Sequence, residues 1–412
     1  MIKYQQIQGV RVLINVKTPE EVIKIIKEHF KPIDFQAESI VLGAALERVL
    51  HDDIISNEDV PGFNRSTVDG YAVIASDTFG CSESIPAIQS VAGEILMGES
   101  AESVLAPGTC MIVSTGGEIP DKANAVVMFE HTEDYGKGMI GIQKSVAPGN
   151  NLIFKGDDVS IGEIVLTAGT KLTPHDIGIL SALGISGINV RKKPVIGIIS
   201  TGDELVPPTD IPGRGQVRDV NTPMLLAAAT GFGADAKDFG LIRDDEKAIR
   251  KAVLSAVQVC DVVLISGGSS AGARDLTARV IASEGELLLH GIAMKPGKPT
   301  ILGKINEKPI FGLPGHPVAA YIVTELFVHP LINMLVGAKT KQYTTTAKLS
   351  EAISSNHGRE EYIAVRLIDG IAHPIRGKSG LITGLAGVDG YICVPRDCEG
   401  LAKGADVRVV YF

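Results

Sequence analysis

The chain has 412 residues, more than one ordinary domain holds, and this length predicts two to four domains. Its net charge of −9 argues against a general nucleic-acid surface, and 45% hydrophobic with 21% charged residues is typical of a soluble globular protein. The five cysteines form no CxxC pair, so we expect reduced thiols and no zinc site. No apolar run approaches the roughly 20 residues of a membrane span, and no signal-peptide core is present. We therefore expect a cytoplasmic protein that binds neither nucleic acid nor membrane.

Apolar residues at helical spacing occur near the start of the sequence and again after residue 172. Over residues 18–50, Thr18 can cap and Pro19 can begin a first helix, and a second helix is predicted over residues 41–49. The pattern returns with a threonine cap at residues 173–185. Because the three segments have similar apolar spacing, we expect them to pack together as one split helical domain.

Three other kinds of pattern complete the chain. Short β-type runs separated by turns fill residues 54–154 and predict an inserted all-β unit. After Arg191 the pattern is β-loop-α, repeated, and Val/Ile runs such as DVVLISGG are typical of buried parallel strands. The tail from Lys339 predicts a small β domain resembling a barrel.

The predicted fold class is therefore multidomain, α/β plus β, with a doubly wound α/β domain at its centre. The predicted limits are 1–53 with 155–190 for the split helical or linker domain, 54–154 for the inserted β domain, 191–338 for the α/β domain and 339–412 for the C-terminal β domain.

Four polar loops follow strands of the predicted parallel sheet: STGDE, IRDD, SGGSSAGARD and LPGHP. Such sheets bind ligands beyond the carboxyl ends of their strands, which lie along one edge. Four polar loops on one edge predict a ligand site more strongly than any one loop alone.

The SGGSSAGARD loop matches no known phosphate cradle in full. Gly267 and Gly272 have the Walker separation, but an Ala-Arg pair follows where Lys and Ser/Thr are needed. The Rossmann pattern fails because Gly267 is followed directly by Gly268. Glycine, the hydroxyls of Ser269 and Ser270, and the positive end of the next helix remain, and together they favour an anion.

Carboxylates gather at the same predicted edge. Asp203, Glu204, Asp244 and Asp245 indicate Mg²⁺ beside a phosphate, or else helix caps and solvated acids. Asp275 is either a helix cap or a metal ligand, and from the pattern alone the cap is favoured.

The segment MKPGKPT places Lys295 and Lys298 on a turn held by prolines, which suits a multiply charged anion better than it suits a plain surface turn. His316 in LPGHPVAA is a hydrogen-bonding group or a metal ligand, and a turn histidine without metal is the commoner outcome.

Two polar loops stand out in the inserted β unit. VPGFNRSTVDGYAV, which contains Asp69, is denser in polar residues than a turn requires. IVSTGGEIP carries the hydroxyls of Ser114 and Thr115 on a glycine-rich turn. We expect this turn to close over a ligand from a neighbouring domain or subunit.

Five motifs occur in the order found in the molybdopterin molybdenumtransferase family, which includes the MoeA proteins and the E domain of gephyrin. They are PGFNRSTVDGYAV, STGDELV, SGGSSAGARD, MKPGKPTILG and GLPGHPVAA. The resemblance covers essentially the whole chain and implies an α/β domain of the molybdopterin-binding type. It also implies an Mg²⁺-dependent transferase of molybdenum cofactor biosynthesis, which inserts molybdate into adenylylated molybdopterin and releases AMP. The family works as an elongated homodimer in which the β domain of one subunit faces the α/β domain of the other.

The resemblance also assigns residue roles. Catalytic positions fall on Asp69, Thr115, Glu204, Asp244 and Asp275, of which the last three are expected to hold the metal. Cofactor-binding positions fall on Gly267, Gly268, Ser269, Ser270, Lys295, Lys298, Pro314 and Pro317. A functional Arg and Ser of the last domain fall near Arg366 and Ser379.

The chain departs from the family pattern at several positions. Asn64-Arg65 stands where Asp-Asn is common, His316 where Asn is frequent, and Gly291 where some members carry a second pocket lysine. These departures leave the choice between molybdate and tungstate open.

Two other functions remain open. Molybdopterin adenylyltransferase, which we expect as the upstream partner, has a similar glycine-rich loop followed by Arg-Asp, but the β domains argue against that activity. A non-catalytic scaffold like the E domain of gephyrin is the other alternative, although no long linker or extra module is obvious.

Overall fold

The computed structural model describes residues 4–7, 10–13, 16–33, 36–267, 271–375 and 377–412. For residues 4–7, 10–13 and 271–275 it describes the backbone alone.

The first elements are a hairpin, one helix and two short strands. They are β1 (Tyr4–Ile7), β2 (Val10–Leu13), α1 (Pro19–His29), β3 (Ala37–Val41) and β4 (Ile54–Ile55). Helix α1 confirms the first predicted helix, and Thr18 and Glu21 close a reciprocal capping box at its start.

The second predicted helix, over residues 41–49, is wrong. The segment holds the end of β3, one 3₁₀ turn (Leu42–Ala44) and a stretch whose backbone bonds to a neighbouring segment. Glu47 donates its N–H to Leu172 O, and Leu50 donates to Thr170 O. These partners lie more than a hundred residues away, so tertiary pairing overrides the local helical spacing.

The inserted unit is all-β, as predicted. Its strands are β5 (Arg65–Ser66), β6 (Gly70–Val73), β7 (Ala87–Ile95), β8 (Thr109–Val113), β9 (Ala125–Met128), β10 (Thr132–Gly136), β11 (Met139–Ile142) and β12 (Leu152–Ile153). Six of them form one sheet in the order β10-β11-β7-β8-β6-β9.

The chain then returns to the N-terminal region through β13 (Ile164–Leu166), α2 (Pro174–Ala182) and β14 (Gly187–Arg191). Strand β14 pairs with β3, and β13 pairs with β4. Leu180 of α2 packs with Leu50 and Leu172, whereas Val22 and Ile26 of α1 pack in the core of the α/β domain. The expectation that all the helical segments pack together is therefore wrong, because the apolar face of α1 is buried against the α/β domain.

The α/β domain alternates strands and helices. Its elements are β15 (Val195–Thr201), β16 (Leu205–Val206), β17 (Val217–Arg218), α3 (Asn221–Gly231), β18 (Asp235–Ile242), α4 (Glu246–Val259), β19 (Val262–Gly267), α5 (Ala271–Glu284), β20 (Glu286–His290), β21 (Met294–Lys295), β22 (Ile301–Ile305), β23 (Lys308–Leu313), α6 (Pro317–Val323), a π-helical turn (Thr324–Val328) and α7 (His329–Leu335).

The sheet of this domain has the order β18-β15-β19-β23-β22-β20. The first four strands are parallel, and β22 and β20 are antiparallel. Alternate side chains of each parallel strand enter separate cores: Ile196 and Ile198 pack with α3, α6 and α7, and Ile199 packs with α4 and α5. Helices on both faces confirm the prediction of a mostly parallel, doubly wound sheet.

One helical stretch, Pro317–Leu335, is long and apolar enough by length and composition to cross a membrane, although Glu325 and His329 interrupt its apolar run. Among its buried residues, Ala320, Phe327 and Leu331 lie in the same core as the strands of the α/β sheet. Length and composition of this kind are shared by core helices of globular domains.

The last domain is a closed barrel. Its strands are β24 (Thr344–Leu349), β25 (Ile353–Ser354), β26 (Glu360–Ile368), β27 (Ile371–Pro374), β28 (Gly390–Val394), β29 (Gly400–Leu401) and β30 (Asp406–Tyr411). Five strands close in the order β26-β27-β24-β30-β28, because β28 pairs back with β26. The barrel-like prediction for the tail agrees with this closure, while the exact domain limits stay predictions.

Phe311 on β23 is fully buried in the α/β core, so replacing it should destabilise the fold. We expect Phe311→Ala to cost about 3–5 kcal/mol of unfolding free energy, measured by denaturant titration. Ile211, which is 90% exposed, is the control, and Ile211→Ala should change stability by less than about 0.5 kcal/mol. Equal losses in the two variants would contradict this description of the core.

Candidate functional site

A cavity of about 830 Å³ lies between the α/β domain and the barrel. Residues 294–299 and 314–316, with one face of α6, form one wall. The start of β26, residues 374–375 and parts of the segment 377–385 contribute the other wall from the barrel. The cavity therefore exists only because the two domains are packed against each other.

The parallel pairing of β21 with β26 brings the segment MKPGKPT, residues 294–300, to the barrel; this segment is called the lysine loop. Lys295 is aligned with Glu361 in this pairing, and its Nζ lies 2.7 Å from Glu361 Oε1. Ser355 Oγ donates to the other carboxylate oxygen at 2.8 Å. Because the Glu361 side chain is only 13% exposed, these two contacts compensate a nearly buried charge.

The cavity is electropositive. Among the described lining residues Glu361 is the only carboxylate, and four cationic side chains line the same space: Lys295, Lys298, Arg359 and Lys378. Cations concentrated in one concave, partly apolar space attract a small anion. The predicted anion role of the lysine loop fits this geometry.

The LPGHP loop contacts the barrel directly. His316 Nδ1 lies 2.8 Å from Ser379 Oγ, and the Val318 N–H donates to the Ser379 carbonyl at 3.1 Å. Pro314 lines the cavity, whereas Pro317 is buried as the first residue of α6 and is not part of the wall. Of the two predicted prolines, Pro314 therefore lies in the wall and Pro317 does not, while the ligand role of the loop stays a prediction.

Arg366, expected near the site from the family resemblance, does not line the cavity. Its guanidinium donates to the carbonyls of Ala386 and Gly387 at 2.8 and 2.9 Å. Ala364 lines the cavity instead, and Arg366 lies two residues, about 6.6 Å, further along β26. Ser379, predicted with it, does lie in the wall.

The four polar loops of the parallel strands do share one edge, as predicted. In the order of the strands β18, β15, β19 and β23, the edge carries Asp244, Glu204, Gly267 and Pro314. Three strand spacings separate the first loop from the last, roughly 15 Å. Acidic residues therefore lie at one end of an extended site, and the cationic cavity lies at the other.

At the acidic end, the half-buried carboxyl of Asp244 lies close to two other carboxylates. Burial raises the pKa of Asp244, and the carboxylates of Asp203 and Glu204 raise it further, against a hydrogen bond from Thr201 that lowers it. One oxygen, Asp244 Oδ1, is buried and has no hydrogen-bond partner among the described atoms. Asp245 has a different role, because its Oδ1 caps α4 by accepting the Ala248 N–H at 2.9 Å.

The donor set at this end fits Mg²⁺. Within the described part of the chain, no three His, Cys, Asp or Glu side chains are arranged as a metal cluster. Mg²⁺, however, usually takes only one or two carboxylates and completes its shell with water and phosphate oxygens. The unpartnered oxygen of Asp244, close to Glu204, has the chemistry of such a ligand. The third predicted ligand, Asp275, has its side chain outside the described residues.

The glycine loop is described only at its start. Gly267 has φ +150°, and a Cβ there would lie 2.2 Å from the Thr201 carbonyl oxygen, so no other residue fits. The predicted anion ligands Gly268, Ser269 and Ser270 lie outside the described residues.

Asp69 and Thr115 meet in the inserted domain. Asp69 Oδ1 accepts from the Thr115 N–H at 2.7 Å and from its hydroxyl at 3.1 Å. Neither residue lines the cavity of its own chain. The structure thus brings together these two predicted residues but does not bring them to the lysine loop.

Three charged lining residues were not predicted: Arg359, Glu361 and Lys378. The charged run REE immediately before a strand, in GREEYIAVRL, is a signal for the first two. Sequence alone does not show that β26 lies beside the lysine loop, since that pairing joins positions 66 residues apart.

Comparison with family models covers almost the whole chain. Residues 17–184 match the MoeA N-terminal region (domain I and II), residues 197–334 match a probable molybdopterin binding domain, and residues 346–412 match the MoeA C-terminal region (domain IV).

Individual proteins show the same relationship. The molybdopterin molybdenumtransferase of Bacillus subtilis is 31% identical over 97% of this chain and 95% of its own length. That of Haemophilus influenzae is 35% identical over 75% of each chain. The crystal structure of a molybdopterin biosynthesis MoeA protein from Pyrococcus horikoshii superposes with a TM-score of 0.87, at 34% identity, over 97% of this chain and 100% of that one.

The raised pKa of Asp244 makes a stability prediction. In the unfolded chain this carboxyl ionises in the ordinary aspartate range, whereas in the folded protein burial and two neighbouring carboxylates oppose ionisation. Ionised Asp244 therefore destabilises the fold at neutral pH, and Asp244→Asn should raise the melting temperature at pH 7. The gain should disappear as the pH falls below the ordinary aspartate range, where both side chains are neutral.

Asp235 is exposed at the first position of β18, the strand that precedes Asp244. It is the control for this experiment, and Asp235→Asn should show no such pH-dependent gain. A lower melting temperature for Asp244→Asn at pH 7 without divalent metal would contradict the electrostatic description.

Proposed function

The chain belongs to the MoeA family, and on this premise we propose that it is a molybdopterin molybdenumtransferase of molybdenum cofactor biosynthesis. The reaction inserts molybdate, or tungstate, into adenylylated molybdopterin and releases AMP. The observation that most supports it is the division of charge along one edge of the α/β sheet, with four cations in the cavity and clustered acids at the other end.

Each end of the edge suits one part of this chemistry. A tetrahedral dianion fits the cationic cavity, where Lys298 and Lys295 supply charge and hydrogen-bond donors. Molybdate and tungstate share this shape and charge, so a cavity that selects by charge accepts either. A phosphoanhydride fits the other end, beside the glycine loop and the acids.

Glu204, Asp244 and Asp275 would hold Mg²⁺, which when bound neutralises phosphate charge and makes the adenylate easier to cleave. The unpartnered Asp244 oxygen supports this part of the proposal. A cation bound there would also offset the repulsion between Asp244 and the neighbouring carboxylates of Asp203 and Glu204.

We propose that the active enzyme is a homodimer in which Asp69 and Thr115 of one subunit reach the α/β domain of the other. Support comes from their position outside the cavity of their own chain. Further support comes from Ile55 and Ile164, which pair across β4 and β13 and are both exposed, an apolar spot suited to burial by a second copy.

The cellular setting is also a proposal. Molybdopterin adenylyltransferase would act upstream and supply the adenylylated substrate, in the cytoplasm. The five free cysteines fit a reducing compartment.

The proposed activity is tested with adenylylated molybdopterin, Mg²⁺ and either molybdate or tungstate, by measuring AMP and metal-loaded cofactor. We expect release of AMP that requires the divalent metal and an oxyanion. Lys298→Ala should lower kcat/KM about tenfold or more, because it removes a charged donor from the cavity.

Lys341→Ala removes an exposed lysine outside the cavity and is the matched control. Binding of the adenylylated substrate without any turnover would favour the scaffold alternative. Formation of the adenylate from ATP and free molybdopterin would favour the adenylyltransferase.

The dimer proposal has its own test. Asp69→Ala and Lys298→Ala alter different halves of the proposed composite site, so each homodimer should be nearly inactive. Mixed dimers contain one site free of both changes, and an equal mixture should recover roughly a quarter of wild-type activity. If verified mixed dimers recover nothing beyond the sum of the two variants, the site is not shared between subunits.

A further inference from the structure

Glu361 is the only carboxylate among the described residues that line the cavity, and it lies directly against one of the four cations there. Its Oε1 is 2.7 Å from Lys295 Nζ, and its other oxygen accepts a hydrogen bond from Ser355 Oγ at 2.8 Å. Within the described part of the chain, Lys295 alone of the four cavity cations forms an ion pair. The cavity therefore contains one negative charge of its own, placed beside Lys295.

The ion pair leaves Lys295 able to bind a ligand. An ammonium group has three N–H donors, and Glu361 accepts one of them. The Lys295 side chain is 56% exposed, whereas the Glu361 side chain is only 13% exposed. The remaining donors of Lys295 can therefore contact an anion in the cavity, while the carboxylate is mostly shielded from solvent.

An anion bound to Lys295 also lies close to Glu361. Two hydrogen bonds to the same ammonium nitrogen place the anion and the carboxylate oxygen roughly 5 Å apart. At this separation, Coulomb's law with the screening of water gives a loss of affinity of roughly fourfold for each negative charge on the anion. A monoanion therefore loses roughly fourfold in affinity and a dianion roughly fifteenfold.

The size of the cavity does not discriminate among small anions. Its volume of about 830 Å³ is in the range that holds a whole organic ligand, so phosphates larger than one tetrahedral oxyanion also fit. The four cations alone would favour the most highly charged anion present. A carboxylate beside the ligand opposes this trend, because its repulsion grows with the charge of the ligand.

We propose that Glu361 is a specificity residue that sets the charge selectivity of the cavity, shifting its preference from more highly charged phosphates toward a tetrahedral dianion. This inference rests on the proposed function, because the selected dianion is the proposed oxyanion substrate. Through the ion pair, Glu361 also holds the Lys295 ammonium group in place. Removing the charge of Glu361 should therefore strengthen anion binding, and the gain should be largest for the most highly charged anion.

The test is calorimetric titration of the full-length protein with three anions, at one pH, at low ionic strength and without divalent metal. Perrhenate is a tetrahedral monoanion similar in size to molybdate, the dianion. Pyrophosphate carries more than two negative charges at neutral pH, and its binding is followed by displacement of molybdate. Glu361→Gln removes the charge but keeps the shape and an oxygen that accepts from Lys295. This variant should bind perrhenate roughly fourfold, molybdate roughly fifteenfold and pyrophosphate still more tightly than wild type does.

Two further variants separate the effect of charge from that of packing. Ser355→Ala removes the hydrogen bond to Glu361 but keeps its charge, so we expect no charge-dependent gain. Glu28→Gln removes a carboxylate from an exposed ion pair with Lys24, outside the cavity, and should leave all three affinities within about twofold of wild type. In turnover assays, the KM for molybdate should be lower in Glu361→Gln than in wild type, because the oxyanion binds more tightly.

The outcomes distinguish this inference from the proposed function. If wild type releases AMP with molybdate and Glu361→Gln binds the three anions no more tightly than wild type, the inference is wrong while the function stands. If the gain is equal for all three anions, or if Ser355→Ala shows the same gain, altered packing is the cause and the inference is equally wrong. If wild type releases no AMP with molybdate or tungstate, the proposed function fails, and Glu361 has no substrate oxyanion to select.

Discussion

The cavity depends on the pairing of β21 with β26. Met294 is buried in the core of the α/β domain, while the next residue, Lys295, is ion-paired to Glu361 of the barrel. The lysine loop is therefore anchored in one domain and aligned on the backbone of another. A cation held in this way needs little reorganisation when an anion arrives, which is the condition for strong electrostatic stabilisation in a partly dehydrated space.

Opposite charges are kept apart along the sheet edge. Cations in the cavity repel one another, and Glu361 offsets part of that repulsion while no anion is bound. Among the described residues, the acids around Asp244 have no comparable ion-pair partner. The pKa of Asp244 is raised, and one of its oxygens has no hydrogen-bond partner within that part of the chain. Both ends thus carry uncompensated charge of opposite sign, and a ligand that combines anions with a divalent metal relieves both.

Much of the fold could be predicted because the central α/β strands β15, β19 and β23 are almost entirely buried. Buried parallel strands need continuous Val/Ile runs, so DVVLISGG indicates its strand without other information. The prediction failed over residues 41–49, where apolar residues at helical spacing serve a segment whose backbone is paired to residues 170–172. The spacing of apolar residues indicates which side chains are buried. The backbone conformation, however, depends here on hydrogen bonds to a distant segment, and a single sequence does not show that pairing.

The site, like the fold, has one part that could be predicted from the sequence and one part that could not. Loops that follow parallel strands must share an edge, so the acids and the LPGHP loop could be predicted to lie together. Residues from the barrel could not, because their place depends on how two domains pack. The case of β26 shows the limit: Ala364 lines the cavity while Arg366, on the same face of the strand, is held outside it by two carbonyl groups. A shift of two residues, about 6.6 Å, decides whether a guanidinium can reach the anion. Contacts between domains, such as that of His316 with Ser379, therefore shape the part of the cavity that motifs do not encode.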